Sequence, residues 1–115
     1  MITGIGIDVV HAARMDRWQK IPGILERFFH PDEYDYLCKR DFADFFSVWT
    51  AKESYVKYTG EGITDRFSNF SVASPDGTFP AVPGAELRLI DCRTGYRICL
   101  CAARIGAVVL KEEQI

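Results

Sequence analysis

The residues best equipped for chemistry are Asp8, in the run Gly4-Ile5-Gly6-Ile7-Asp8-Val9-Val10, and three charges in Trp49-Thr50-Ala51-Lys52-Glu53-Ser54-Tyr55-Val56-Lys57. An ionised carboxylate on a strand that otherwise reads as buried is costly unless it meets a cation or a metal. On a helix, Trp49, Glu53 and Lys57 share one i, i+4 ridge, and Lys52 stands about 100° round from Glu53. A carboxylate and one or two ammonium groups therefore project beside an apolar stripe. If Asp8 and Glu53 converge, their oxygens form a partial shell for a hard cation such as Mg²⁺, which keeps waters and takes substrate phosphates for its other positions. Lys52, Lys57 and the loop Gly60-Glu61-Gly62 would then face phosphate, the lysines as charges and the glycines as unhindered backbone. Each feature also has a plain structural reading. The helix face suits solvent with a Glu53 to Lys57 pair contributing about 0.3 kcal/mol, and Asp8 suits a strand-end residue capping a turn.

A strand and a helix must carry these side chains. Residues Ile2 to Val10 mix glycine with β-branched residues and read as a strand with both faces at least partly covered. A short helix is expected near Ala12 to Trp18, a second from Pro22 through Phe29, and a third from Asp32 to Arg40, where Pro31 sets the first turn and early carboxylates suit the helix dipole. The longest helical pattern runs from about Asp41 to Thr59 and stops at Gly60. After Gly62 the pattern becomes that of strands: Phe67 to Ala73, Ala85 to Cys92 and Tyr96 to Arg104, with Val108 to Lys111 as a further short strand or an extension. Pro75-Asp76-Gly77, Pro83-Gly84 and Thr94-Gly95 mark the turns. The fold class is α+β, an antiparallel sheet packed against one long helix plus short helices.

With 115 residues and 13.0 kDa the chain reads as a single domain over 1–115, leaving no room for separate cofactor and substrate domains. Apolar residues at 48% and charged residues at 26% argue against disorder and coiled coil. A net charge of −2 argues against nonspecific nucleic-acid binding. No basic region precedes the N-terminal apolar stretch and Asp8 interrupts it, so neither a signal peptide nor a membrane span fits, and a cytoplasmic location is expected. Cys38, Cys92, Cys99 and Cys101 then read as buried free thiols, and their spacing does not suit zinc.

The paired motifs, Gly4-x-Gly6-Ile7-Asp8 and Trp49-x-x-Lys52-Glu53-Ser54-x-x-Lys57-x-x-Gly60-x-Gly62, resemble the 4′-phosphopantetheinyl transferase superfamily. The likeness covers almost the whole chain, including Arg27-Phe28-Phe29, Glu33-Tyr34 and Gly95-Tyr96-Arg97. In sequence it is similar to the C-terminal half of the two-half transferases that activate surfactin synthetase; in length it matches the short holo-acyl-carrier-protein synthases. The resemblance implies transfer of the phosphopantetheine arm of coenzyme A to a serine of an apo acyl or peptidyl carrier protein, releasing adenosine 3′,5′-bisphosphate. By position it makes Asp8 and Glu53 the Mg²⁺ ligands, Glu53 the acceptor of the serine proton, and Lys57 the charge stabiliser or proton donor near the pyrophosphate. Lys52, Lys57, Gly60 and Gly62 contact the donor's phosphates, and Arg14 with Arg17 docks an acidic carrier. Because one copy resembles half a site, the resemblance also implies a homo-oligomer, a trimer by length or a dimer by sequence. His11 stands where the short type commonly has Glu, and imidazole is a poor Mg²⁺ ligand. The late strand lacks the Ser-x-Ser-His-like phosphate-binding segment, leaving other basic residues such as Arg40, Arg66 or Arg104, or a different subunit, to hold the coenzyme A phosphates. The alternatives are a non-catalytic relative that binds carrier protein or coenzyme A within a heteromer, and a Mg²⁺-dependent phosphohydrolase.

Overall fold

Strand β1, Ile5–His11, alternates strictly: Gly6, Asp8 and Val10 are buried while Ile5, Ile7 and Val9 face outward. The structure, a computed structural model, describes residues 4–15, 17, 20–61, 67–90, 92, 95–106 and 108. After β1 come α1 (Ala12–Met15), α2 (Ile24–Phe28), α3 (Pro31–Cys38), α4 (Phe45–Thr59), β2 (Glu86–Ile90) and β3 (Tyr96–Ala102). The sheet is antiparallel with the order β1-β3-β2, so β3 is central. Its register sets Asp8 opposite Cys99 and Gly6 opposite Cys101. Helix α4 covers this inner face, and its buried Val48, Trp49, Ala51 and Val56 meet Leu37, Phe67 and Val72 in one core.

The α+β architecture is the expected one, with local differences that have physical causes. Helix α2 begins at Ile24 rather than Pro22, because Gly23 adopts a left-handed φ of 81° that no right-handed helix accommodates. Helix α4 begins at Phe45 rather than Asp41: Asp41 and Phe42 turn left-handed, at φ 52° and 60°, to reverse the chain after α3. The Phe42 N–H closes that reversal on the Leu37 carbonyl at 2.9 Å. At the other end Gly60, with φ 82°, stops α4 as expected, its N–H bonded to the Val56 carbonyl at 2.8 Å.

The expected strand over Phe67 to Ala73 is instead a run of turns and bends. Phe67, Val72 and Ala73 are buried and Phe70 half-buried without a ladder, and side chains of other elements satisfy part of its backbone: Lys52 donates to the Phe70 carbonyl and Glu33 accepts from the Val72 N–H. The expected strand at Val108 to Lys111 is not formed at Val108 and otherwise lies outside the described residues. Cys99 and Cys101 are buried free thiols, but Cys38 is exposed and Cys92 half-buried. Among the described residues no helix is long and apolar enough to cross a membrane.

Gly6 sets the distance between β1 and α4. A Cβ there would overlap the Ser54 carbonyl oxygen and the Tyr58 nitrogen, both backbone atoms that cannot swing aside. Gly6→Ala should therefore lever β1 away from α4 and cost about 1–3 kcal/mol in urea unfolding; wild-type stability in that variant would show that the two backbones do not approach this closely.

Candidate active site

Asp8 is not at a strand end. It sits in mid-strand on the inner face of β1, 9% exposed, between the sheet and the last turns of α4. Lys57, half exposed in the last turn of α4, donates to Asp8 Oδ1 at 3.0 Å and to the Ile7 carbonyl at 3.2 Å. A lysine at this end of a helix is also favoured by the helix dipole. The sequence-level pairing of Lys57 with Glu53 thus gives way to a contact across the helix–strand interface. The other Asp8 oxygen, Oδ2, is buried and has no hydrogen-bond partner among the described residues. A buried carboxylate oxygen left without a donor is costly.

Glu53, one turn before Lys57, completes the group electrostatically. Its carboxyl is pushed above the ordinary value first by burial and then by the negative charge of Asp8, while Lys57 pulls it back. Two carboxylates that feel each other and share one lysine form an acidic site with a charge to spare. The donor set fits Mg²⁺: two hard oxygen ligands, one of them orphaned, suit an ion that uses one or two carboxylates and fills its shell with water and phosphate. Among the described residues no group of three or more His, Cys, Asp or Glu side chains could hold a metal, so an all-protein cage of the zinc kind is not built.

Lys52 is placed differently from the expectation. It does not face phosphate; its side chain is wholly buried, with Nζ bonded to Glu33 Oε1 at 2.7 Å, Glu33 Oε2 at 3.0 Å and the Phe70 carbonyl at 2.8 Å. All three ammonium hydrogens have partners, so none remains for a ligand. Burial opposes both charges, raising the Glu33 carboxyl and lowering the Lys52 ammonium, and each partner pulls the other back. Glu33 was legible as a first-turn carboxylate of α3, but nothing in its spacing pointed to a lysine 19 residues on.

Gly60 is exposed and has open space where a Cβ would stand, so its glycine answers to the left-handed helix stop. Gly62 and Arg66 lie outside the described residues, as does the side chain of Arg14 on α1. Arg17 is exposed. Arg40 is engaged locally, stacked 3.8 Å over the Tyr36 ring and bonded to the Tyr36 carbonyl. His11 belongs to the outer face of the sheet, against Tyr96 and away from Asp8. A cavity of about 610 Å³ opens between α3, α4 and the 69–83 segment, and Asp8, Glu53 and Lys57 are not among its lining residues.

A model of the 4′-phosphopantetheinyl transferase superfamily matches residues 4–104, and so takes in Asp8, Glu53 and Lys57 together. The chain belongs to this superfamily. Among curated family members it is 41% identical over 66 residues to a holo-[acyl-carrier-protein] synthase of Treponema denticola, covering 55% of this chain and 54% of that protein. It is 38% identical over 92 residues to the 4′-phosphopantetheinyl transferase psf-1 of Bacillus pumilus, covering 76% of this chain and 35% of that protein. The chain thus spans about half the length of the first relative and about a third of the second. Two solved family structures share the fold. The holo-(acyl-carrier-protein) synthase of Bacillus anthracis, in complex with CoA (3′,5′-ADP), superposes with a TM-score of 0.65 at 22% identity over 89% of this chain and 96% of that one. The corresponding synthase of Neisseria meningitidis gives 0.66 at 21% identity over 91% and 100%.

The electrostatic grouping is checked by carboxyl-resolved NMR titration of Glu53. Asp8→Asn removes the negative neighbour and should lower the Glu53 pKa, whereas Lys57→Met removes the cation and should raise it. Identical Glu53 titration in both variants would mean that the three groups do not share a site.

Proposed function

We propose that this chain transfers the 4′-phosphopantetheine arm of coenzyme A to a serine of an apo carrier protein, in a Mg²⁺-dependent reaction that releases adenosine 3′,5′-bisphosphate. The observation that carries this reading is the orphaned, buried Oδ2 of Asp8 beside Lys57 and the charge-coupled Glu53. Asp8 and Glu53 would hold the Mg²⁺, whose chemistry is to neutralise the pyrophosphate of the donor. Phosphoryl transfer is mostly positioning and charge stabilisation, so a cation site and a lysine on rigid elements are the equipment it needs.

The chain's own groups divide the remaining work. The serine oxygen bonds to the β-phosphorus of coenzyme A as the bond from that phosphorus to the bridging oxygen breaks, and the bisphosphate departs with the electron pair. Glu53 accepts the serine proton. Lys57, half exposed and already turned toward Asp8, stabilises or protonates the leaving oxygen. By the family resemblance, Gly60 and Gly62 would contact the donor's phosphates, and Arg14 with Arg17 would dock an acidic carrier.

The family resemblance also implies a second copy of the chain. The outer sheet face leaves Ile5, Ile7 and Val9 exposed at 50%, 49% and 55%, and the register brings Ile98 and Leu100 of β3 onto the same face. A continuous apolar face of this kind marks an interaction surface. A homo-oligomer, a trimer or alternatively a dimer, would cover it, as the family resemblance suggests. Light scattering should then give a multiple of 13.0 kDa for the wild type and a monomer for Ile7→Lys with Val9→Lys; a monomeric wild type would remove the oligomer.

Incubation with coenzyme A, Mg²⁺ and an apo carrier domain should add one phosphopantetheine mass to the carrier serine. Asp8→Ala and Glu53→Ala should each lower the rate by about 10²-fold or more while leaving the fold intact. Saturable binding of carrier or coenzyme A with no mass gain across several carriers would favour the non-catalytic reading. Cleaved coenzyme A with the carrier unmodified would favour hydrolysis.

A further inference from the structure

Glu33 and Lys52 join three segments that no backbone ladder joins. Glu33 Oε1 accepts from Lys52 Nζ at 2.7 Å and from the His30 N–H at 2.8 Å, and Oε2 accepts from Lys52 Nζ at 3.0 Å and from the Val72 N–H at 2.8 Å. Lys52 also donates to the Phe70 carbonyl, and its ammonium lies 4.1 Å from the Phe70 ring centroid and 5.0 Å from that of Phe67. Both side chains have 0% exposure. One carboxylate thus ties the start of α3 and the middle of α4 to the irregular 67–73 segment.

Those three segments also wall the cavity. His30 and Asp32 come from the start of α3, Tyr55 stands one turn beyond Lys52 on α4, and Phe70 and Ser71 belong to the irregular segment. The Tyr55 and Phe70 rings lie 5.0 Å apart, and Phe70 is the ring nearest the ammonium. Among the described residues the wall formed by residues 67–73 has no strand partner, and side chains of Lys52 and Glu33 anchor it to the helices.

A buried ion pair is a poor device for stability alone, because desolvation offsets much of its attraction and apolar replacements of similar volume are often tolerated. It is a better device for direction. Four hydrogen bonds from three donors fix the carboxylate's orientation, and the ammonium's three bonds fix the helix to it and to the Phe70 carbonyl.

We propose that Glu33 and Lys52 are a positioning pair for donor binding: they hold the walls of this cavity at the spacing that admits the non-reacting part of coenzyme A, without touching the reacting atoms. This rests on the coenzyme A reading above. Binding energy from remote parts of a substrate orients its reacting centre, so a displaced wall is felt first as weaker donor binding.

The test compares wild type with Glu33→Gln/Lys52→Met, which removes both charges while keeping volume and one acceptor oxygen. Amide exchange is read without substrate, and coenzyme A affinity by calorimetry beside transfer kinetics. The Val72 amide and its neighbours should exchange faster in the folded variant, and the Kd and KM for coenzyme A should rise by about 10- to 100-fold with kcat little changed. Wild-type Kd and KM in a folded double variant would overturn the proposal, as would unchanged exchange at Val72. If the double variant does not fold, Lys52→Arg keeps the charge but substitutes a wider, planar group; it should show the same KM-selective loss, and wild-type KM there would overturn the proposal. A wild type that neither binds nor uses coenzyme A would defeat the reading of the reaction and the donor-binding claim with it, while Val72 exchange still decides whether the pair holds the wall.

Discussion

Everything at the candidate site depends on how closely β1 can lie against α4. With no side chain at Gly6, the backbone of the strand approaches the Ser54 carbonyl and the Tyr58 nitrogen. Strand alternation then turns Asp8 toward the helix on the same face. One residue of register shift would put Ile7 on the helix and send Asp8 to the outer face. The central strand β3 prevents that shift by pairing Asp8 with Cys99 and Gly6 with Cys101, small side chains that leave room for α4. A glycine, a strand period of two and a helix turn together bring a carboxylate near position 8 to a lysine 49 residues later.

The same helix carries two lysines with opposite fates. Lys57 is in the last turn, half exposed, and remains available to a ligand while paired with Asp8. Lys52, on the core side, is enclosed by Phe67, Phe70 and Glu33 and has no hydrogen left to offer. The difference follows from position on the helix: the last turn leaves an ammonium at the surface beside Asp8, and the middle of the helix encloses one against Glu33. Two lysines flanking Glu53 in sequence need not both act on phosphate.

Much of this could be read from the residues. Asp8 on a strand, α4 ending at Gly60 and the antiparallel arrangement of the later strands each follow from a local period or a stop residue. What could not be read is non-local. A charged residue on a helix is assigned to solvent by periodicity, and the carboxylate that keeps Lys52 in the core belongs to a different helix. The Phe67 to Ala73 run imitates a strand because its apolar residues are needed for packing, yet Val72 and Ala73 are buried consecutively, which a half-exposed strand does not allow. The bend at Asp41 and Phe42 was hidden because left-handed aromatic residues are rare and their cause is the chain reversal between α3 and α4.

The proposed chemistry rests on one hard divalent cation shared by Asp8 Oδ2 and the Glu53 carboxylate. Anomalous diffraction from crystals grown with coenzyme A and Mn²⁺, a scattering substitute for Mg²⁺, tests it most directly. A manganese peak is expected about 2.1 Å from Asp8 Oδ2 and from a Glu53 oxygen, with phosphate or water oxygens completing the shell. A peak held by other residues, with Asp8 and Glu53 both outside its coordination, would contradict it.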